Sequence, residues 1–304
     1  RRCIRRHWCN VMRSVNAASS PHCGWPVPKK AVRIVFESHF GLTRTPFSRE
    51  IPAHSLFLTR NHREALSRLH YTAQRRQVMI LIGDSGVGKS TVLRRLKHEL
   101  DPTSYDVLYL NQTGATIGSF YLDLLTLLKM DCPHNRVKAR AQAAQALLDR
   151  YQIHRRTPVL LLDEAQEMPD ELLDAVRGLL NYDCDAFSPF ALVLVGTRRL
   201  ANRIDQQRHA ALSGRIHMPF RLNAFTPQET AEYVQHHLQV AGAQRPIFTE
   251  PALKRLHQTS NGNARRINRI AVLCLLSAAL TKQDLIDDEL VSQVVASELG
   301  EEAQ

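Results

Sequence analysis

Residues Gly83-Asp84-Ser85-Gly86-Val87-Gly88-Lys89-Ser90 lie between an apolar, strand-like run at 78–82 and a helical pattern at 89–100. No other stretch of the chain restricts its fold as much. A strand that breaks into a glycine-rich turn and then a helix can turn its backbone N–H groups inward around an anion. The helix adds the positive end of its dipole. Lys89 is spaced to neutralise the β and γ phosphates of a nucleotide, and Ser90 to offer its hydroxyl to Mg²⁺. The predicted cradle is Gly83, Asp84, Ser85, Gly86, Val87, Gly88, Lys89, Ser90 and Thr91. A bare glycine-rich turn would need neither flank, and here both are present.

Around this motif the hydrophobic pattern alternates. A short helix is expected at 62–74, with Ala65, Leu66 and Leu69 at helical spacing. Strands are expected at 78–82, 107–110, 159–162 and 190–195, and helices at 89–100, 119–130, 139–151 and 170–182. Apolar strands that alternate with helices imply a parallel sheet covered on both faces. From Thr226 the strand-like runs stop. Thr226-Pro227-Gln228-Glu229 combines an N-cap, a first-turn proline and a capping-box glutamate, so it starts a helix; Thr249-Glu250-Pro251 starts another. Helical pattern continues at 265–280 and 287–299. The fold class is therefore α/β, a parallel sheet flanked by helices, followed by a small all-helical domain. The boundaries expected are a basic tail at 1–34, a nucleotide-binding core at 35–221 and a helical lid at 222–304.

The run Val159-Leu160-Leu161-Leu162-Asp163-Glu164 is an apolar strand ending in two carboxylates. Such a strand delivers its last residues to the C-terminal edge of the sheet, beside the phosphate loop. Asp163 would then hold Mg²⁺ and Glu164 would orient and deprotonate an attacking water. The simpler alternative, a solvated helix start, leaves the loop 75 residues upstream without a partner.

The formal net charge is +11, which invites a nucleic-acid reading. Eight of those charges are Arg1, Arg2, Arg5, Arg6, Arg13, Lys29, Lys30 and Arg33, ahead of the first acidic residue, so about +3 remains for the rest. The tail reads first as an over-extended upstream translation, with a disordered basic arm and a targeting peptide as the alternatives. The six cysteines, Cys3, Cys9, Cys23, Cys132, Cys184 and Cys274, include no CxxC pair, which speaks against a zinc site and suits a reducing cytoplasm. The longest apolar run, 270–280, is well short of the roughly 20 residues that cross a bilayer, so no membrane partner is expected.

The two nucleotide motifs followed by a helical domain resemble the layout of AAA+ ATPases. The lead-in Phe40-Gly41-Leu42 … Pro46-Phe47, the box Asp163-Glu164-Ala165-Gln166, Leu179-Leu180-Asn181 and Gly262-Asn263-Ala264-Arg265-Arg266-Ile267-Asn268 look like the ExeA group. That group is similar to the transposition ATPases MuB, TnsC and IstB. The resemblance covers about 36–299. It implies ATP and Mg²⁺ as ligands and ATP hydrolysis as the activity. Thr197 falls at sensor 1, where Gln or Asn is more usual. Arg215 matches an arginine finger, with Arg208 as the second candidate, and Arg265 matches sensor 2, with Arg266 beside it. A finger acting across a subunit interface implies a homo-oligomeric ring or filament.

Three functions fit this resemblance. The preferred one is a DNA-binding regulator of transposition that assembles on duplex DNA with ATP, recruits a transposase and disassembles on hydrolysis. Its phosphate contacts would come from the loop Thr113-Gly114-Ala115-Thr116 and from Arg136, Lys138 and Arg140, with Arg198, Arg199 and Arg203 as another cluster. Either cluster reads as well as a solvated helix face. The second is an ExeA-type secretion-assembly ATPase; no membrane span or cell-wall-binding portion is visible in the sequence, which favours the transposition reading. The third is a non-hydrolysing nucleotide switch, which intact Lys89, Asp163 and Glu164 argue against.

Overall fold

The run VMILIG is apolar at every position because a strand in the middle of a parallel sheet is covered on both faces. In the computed structural model it forms β1 (Val78–Gly83), buried along its whole length. The structure describes residues 35–301 apart from 112, 134 and 183–185. The side chains of Val35, Arg136 and 298–301 are also outside the description, as are the tail at 1–34 and its cysteines.

Five strands form one sheet in the order β2-β3-β4-β1-β5, every pair parallel. The others are β2 (Tyr105–Asn111), β3 (Thr157–Asp163), β4 (Ala191–Gly196) and β5 (Ile216–Leu222). Alternate residues of β1 divide between two apolar layers. Val78, Ile80 and Ile82 pack with Phe120, Leu124, Leu147 and Leu172 on one face; Met79 and Leu81 pack with Leu69, Val92 and Leu96 on the other. That division follows from the two-residue period of a strand. The covering helices are α2 (Arg60–Arg75) and α3 (Lys89–Glu99) on one side, and α4 (Ile117–Leu127), α5 (Arg136–Gln152), α6 (Asp170–Leu179) and α7 (Arg198–Ile204) on the other.

β5 was not anticipated from the sequence. It is an edge strand that alternates between buried Phe220 and Leu222 and exposed His217, Pro219 and Arg221. Proline is tolerated at an edge because its missing N–H breaks no inner ladder bond. The short α8 (Ala210–Ser213) precedes it.

The C-terminal helices are α9 (Pro227–Val240), α10 (Glu250–Ser260), α11 (Ala264–Thr281) and α12 (Asp288–Glu301). Thr226 caps α9 through the Glu229 N–H, and the Glu229 carboxylate accepts from the Thr226 N–H, the reciprocal box read from sequence. The lead-in takes an unexpected position. α1 (Val35–His39) and the loop after it put Phe36, Phe40, Leu42 and Phe47 into the same apolar cluster as Tyr233, Leu256, Ile267 and Leu275. The segment placed with the core by its sequence position thus packs on the helical lid. Phe47 stacks on His237 at 5.2 Å between ring centres.

Candidate active site

At the end of β1 the chain turns through Gly86 (φ +87°) and Gly88 (φ +100°) into α3. Both glycines occupy left-handed backbone that side chains disfavour. Gly83, Asp84, Ser85, Gly86, Val87 and Gly88 form the turn, and Lys89, Ser90 and Thr91 the first turn of the helix. Lys89 is 7% exposed, and its Nζ donates to the Gly83 carbonyl at 2.8 Å and the Asp84 carbonyl at 3.1 Å. Burial lowers the pKa of its ammonium, while Glu164, Asp163 and Asp84 partly offset this by favouring the charge.

Asp163, 4% exposed, ends β3. Its Oδ2 accepts from the Tyr109 hydroxyl at 2.8 Å and its Oδ1 from the Glu164 N–H at 2.9 Å. Burial and the bond to Asp163 push the Tyr109 phenol well above its ordinary pKa, so it stays a donor. Glu164 has φ 54° and ψ 36°, a left-handed conformation that costs a non-glycine residue about 1 kcal/mol or more. Such local strain concentrates at functional sites. The amide nitrogen of Gln166 donates to Glu164 Oε2, and the amide oxygen of the same side chain accepts from the Thr197 N–H at 3.1 Å. The Thr197 hydroxyl is buried and unpartnered among the described residues.

The lid meets the turn directly. Arg265 Nη1 donates to Ser85 Oγ at 2.9 Å, so of the two adjacent arginines it is Arg265 whose guanidinium reaches the phosphate loop. Arg208 is ion-paired within its own chain to Asp170 at 2.6 Å. Arg215 lies between α8 and β5, half-buried, with Nη1 3.4 Å from the Arg177 carbonyl.

The residues suggested for DNA are less uniform. Thr116 caps α4, its oxygen accepting from the Ser119 N–H, and Thr113 donates to Asn111. Lys138 is exposed, and the Arg140 guanidinium lies over Gly178 of α6. For Arg136 only the backbone, at the start of α5, is described. Arg203 leaves the basic cluster altogether. It donates to the Gln166 and Met168 carbonyls at 2.9 and 2.8 Å and pairs with Asp170, so it holds the loop after β3. Arg199 pairs at 3.4 Å with Glu167.

Sequence reasoning assigned no role to Tyr109, His62, Asn263 or Gln166 individually. The last two stood inside quoted motifs, which was the available signal. Tyr109 had none, because its contact depends on β2 lying beside β3.

These residues fit a nucleotide with Mg²⁺: a glycine turn opening a helix, a buried ammonium on that turn, and a hydroxyl at Ser90 with a carboxylate at Asp163. Among the described residues no group of three or more His, Cys, Asp or Glu side chains could hold a metal alone. Mg²⁺ bound through one or two protein oxygens plus phosphates needs no such group.

A parallel five-stranded sheet with this loop and these carboxylates, capped by a helical domain, defines an AAA+ protein of the P-loop class, whose members are generally ATP hydrolases. Residues 72–204 match the family described as AAA domain. The chain is 31% identical over 250 residues to General secretion pathway protein A of Aeromonas hydrophila. That match covers 80% of this chain and 45% of the relative, so the chain spans under half of that protein's length. Among solved structures it is similar to Cdc6p from Pyrobaculum aerophilum, with TM-score 0.64 and 18% identity over 82% of this chain and 68% of the other. Drosophila ORC bound to DNA gives 0.65 and 17% over 97% and 74%. The RuvB Holliday junction branch migration motor of Thermotoga maritima gives 0.54 and 17% over 79% and 70%. At these identities the likeness concerns the fold. No helix among the described residues is long and apolar enough to cross a membrane.

Proposed function

We propose that this chain hydrolyses ATP and that it is the ATPase portion of a secretion-assembly system. The observation that carries the first half is the joining of Glu164 to Thr197 through Gln166, beside Asp163 at the sheet edge. Lys89 and the loop amides bind the phosphates. Glu164 orients and deprotonates the attacking water, Thr197 offers its hydroxyl, and Arg265 reads the γ-phosphate from the lid. Ser90 and Asp163 would hold Mg²⁺, whose charge offsets that of the phosphates. Arg215 acts on the neighbouring subunit's nucleotide, which requires a homo-oligomer.

The second half rests on the similarity to General secretion pathway protein A, which reverses the preference drawn from the sequence. A DNA-assembled regulator that recruits a transposase is the second reading; Drosophila ORC, a protein of similar fold, is recorded bound to DNA.

The test is ATP hydrolysis with and without long duplex DNA at low salt, with Glu164→Gln as control. Hydrolysis that is lost in the variant and indifferent to DNA supports the secretion reading. DNA stimulation weakened by salt would replace it with the transposition reading. Nucleotide binding without turnover in the native protein would leave a switch and remove the hydrolase.

A further inference from the structure

The phosphate loop is held from outside by two side chains and one backbone N–H, whose hydrogen bonds go to its carbonyls and not to its amides. Asn263 Nδ2 donates to the Ser85 carbonyl at 2.6 Å, and the Arg265 N–H approaches the Gly86 carbonyl at 3.3 Å. From α2, His62 Nε2 lies 3.1 Å from the Val87 carbonyl. His62 Nδ1 accepts from the Thr59 N–H at 3.3 Å, which leaves Nε2 as the donor. Lys89 takes the Gly83 and Asp84 carbonyls. Every carbonyl from Gly83 to Val87 therefore has a donor.

In a trans peptide the C=O and N–H point in opposite directions. Fixing the Ser85 carbonyl toward the lid turns the Gly86 N–H away from it, into the loop. The Val87 carbonyl, held by His62, does the same for the Gly88 N–H. An anion-binding turn depends on such amides being oriented before the anion arrives.

Asn263 has a second duty. Its Oδ1 caps α11, accepting from the Arg265 and Arg266 N–H groups at 3.1 and 3.2 Å. One side chain thus ties the start of the helix bearing Arg265 to the phosphate loop. The approach is close: a Cβ on Gly86 would lie 2.4 Å from Asn263 Oδ1.

The geometry points to Asn263 as a positioning residue for nucleotide binding, a strut from the lid that presets the loop amides around the phosphates. It builds on the reading of this loop as the nucleotide site. Because the amides serve phosphates common to both nucleotides, the strut supports ADP and ATP alike, whereas Arg265 favours ATP.

Asn263→Ser separates the two duties. Serine is as good an N-cap as asparagine but is too short and lacks the amide donor for the Ser85 carbonyl. Isothermal titration of the full chain with ADP and with ATP, in Mg²⁺, should show both dissociation constants raised about fivefold, the loss of one hydrogen bond. The melting temperature should stay near that of the native protein. Arg265→Ala should weaken ATP more than ADP. Asn263→Asp, which also keeps the cap and lacks the donor, covers the case in which the serine variant is unstable. Native ADP affinity in a folded Ser or Asp variant overturns the strut. Failure of the native protein to bind either nucleotide would instead overturn the nucleotide reading itself.

Discussion

Gln166 donates its side-chain amide to the carboxylate of Glu164, two residues upstream, while its amide oxygen holds the Thr197 N–H at the end of β4. The side chain is buried, so this amide has few other partners. It fixes both the orientation of the proposed base and its distance from the end of β4. Removing it should lower turnover more than binding. For Gln166→Ala we expect kcat to fall about tenfold, with nucleotide affinity within about twofold of native, because the phosphates are held elsewhere. Steady-state hydrolysis beside equilibrium binding decides it; an unchanged kcat removes the role.

Gly196 makes room for that glutamine. A Cβ there would lie 2.7 Å from Gln166 Oε1 and 2.8 Å from a Leu200 methyl, so Gly196→Ala must displace both. The expected cost is about 1–3 kcal/mol of stability from overpacking. Turnover should drop alongside, as in Gln166→Ala. Denaturant melts and kcat measured on one preparation test both; a variant as stable and active as native contradicts the crowding.

Arg203 separates structure from nucleic-acid binding. Its guanidinium holds two carbonyls and Asp170, and Asp170 is further held by buried His209 and by Arg208. Its bond to Arg203, the largest influence, keeps the Asp170 carboxyl below its ordinary pKa. Arg203→Ala should cost about 1–3 kcal/mol, since it leaves the part-buried Gln166 and Met168 carbonyls without this donor. It should not alter the salt dependence of any DNA binding, whereas Lys138→Ala should reduce that slope if the exposed face of α5 touches phosphates. Equal slopes in native and Lys138→Ala protein would clear that face.

His237 predicts an acid sensitivity. Burial lowers its pKa to about 4, with a further push from His236. The unfolded chain takes up this proton near pH 6.5, and the folded chain only near pH 4. As pH falls from 7 to 5 the unfolded state therefore binds more protons and the fold loses stability, on the order of 1–2 kcal/mol. The loss should appear as a falling melting temperature and flatten in His237→Gln. Identical pH profiles for the two proteins would rule out this histidine.

The parts of the site legible in the sequence are those whose chemistry is local. The phosphate loop, the paired Asp163 and Glu164, and the Thr226 box are written in consecutive residues, because a turn, a strand end and a cap each form within a few positions. The alternating apolar runs likewise determined a parallel sheet with helices on both faces, since period and burial are properties of short segments. The edge strand β5 escaped because exposed residues and Pro219 interrupt its apolar pattern. What only the tertiary structure decided are contacts between distant segments. Tyr109 meets Asp163 across 54 residues because β2 lies beside β3, and Asn263 meets Ser85 across 178 because the lid docks on the loop. The lead-in packs on that same lid, joining the two ends of the described chain in one core. Such hydrogen bonds and packing depend on strand order and docking angle, which arise from the summed burial of many side chains and are encoded in no single motif.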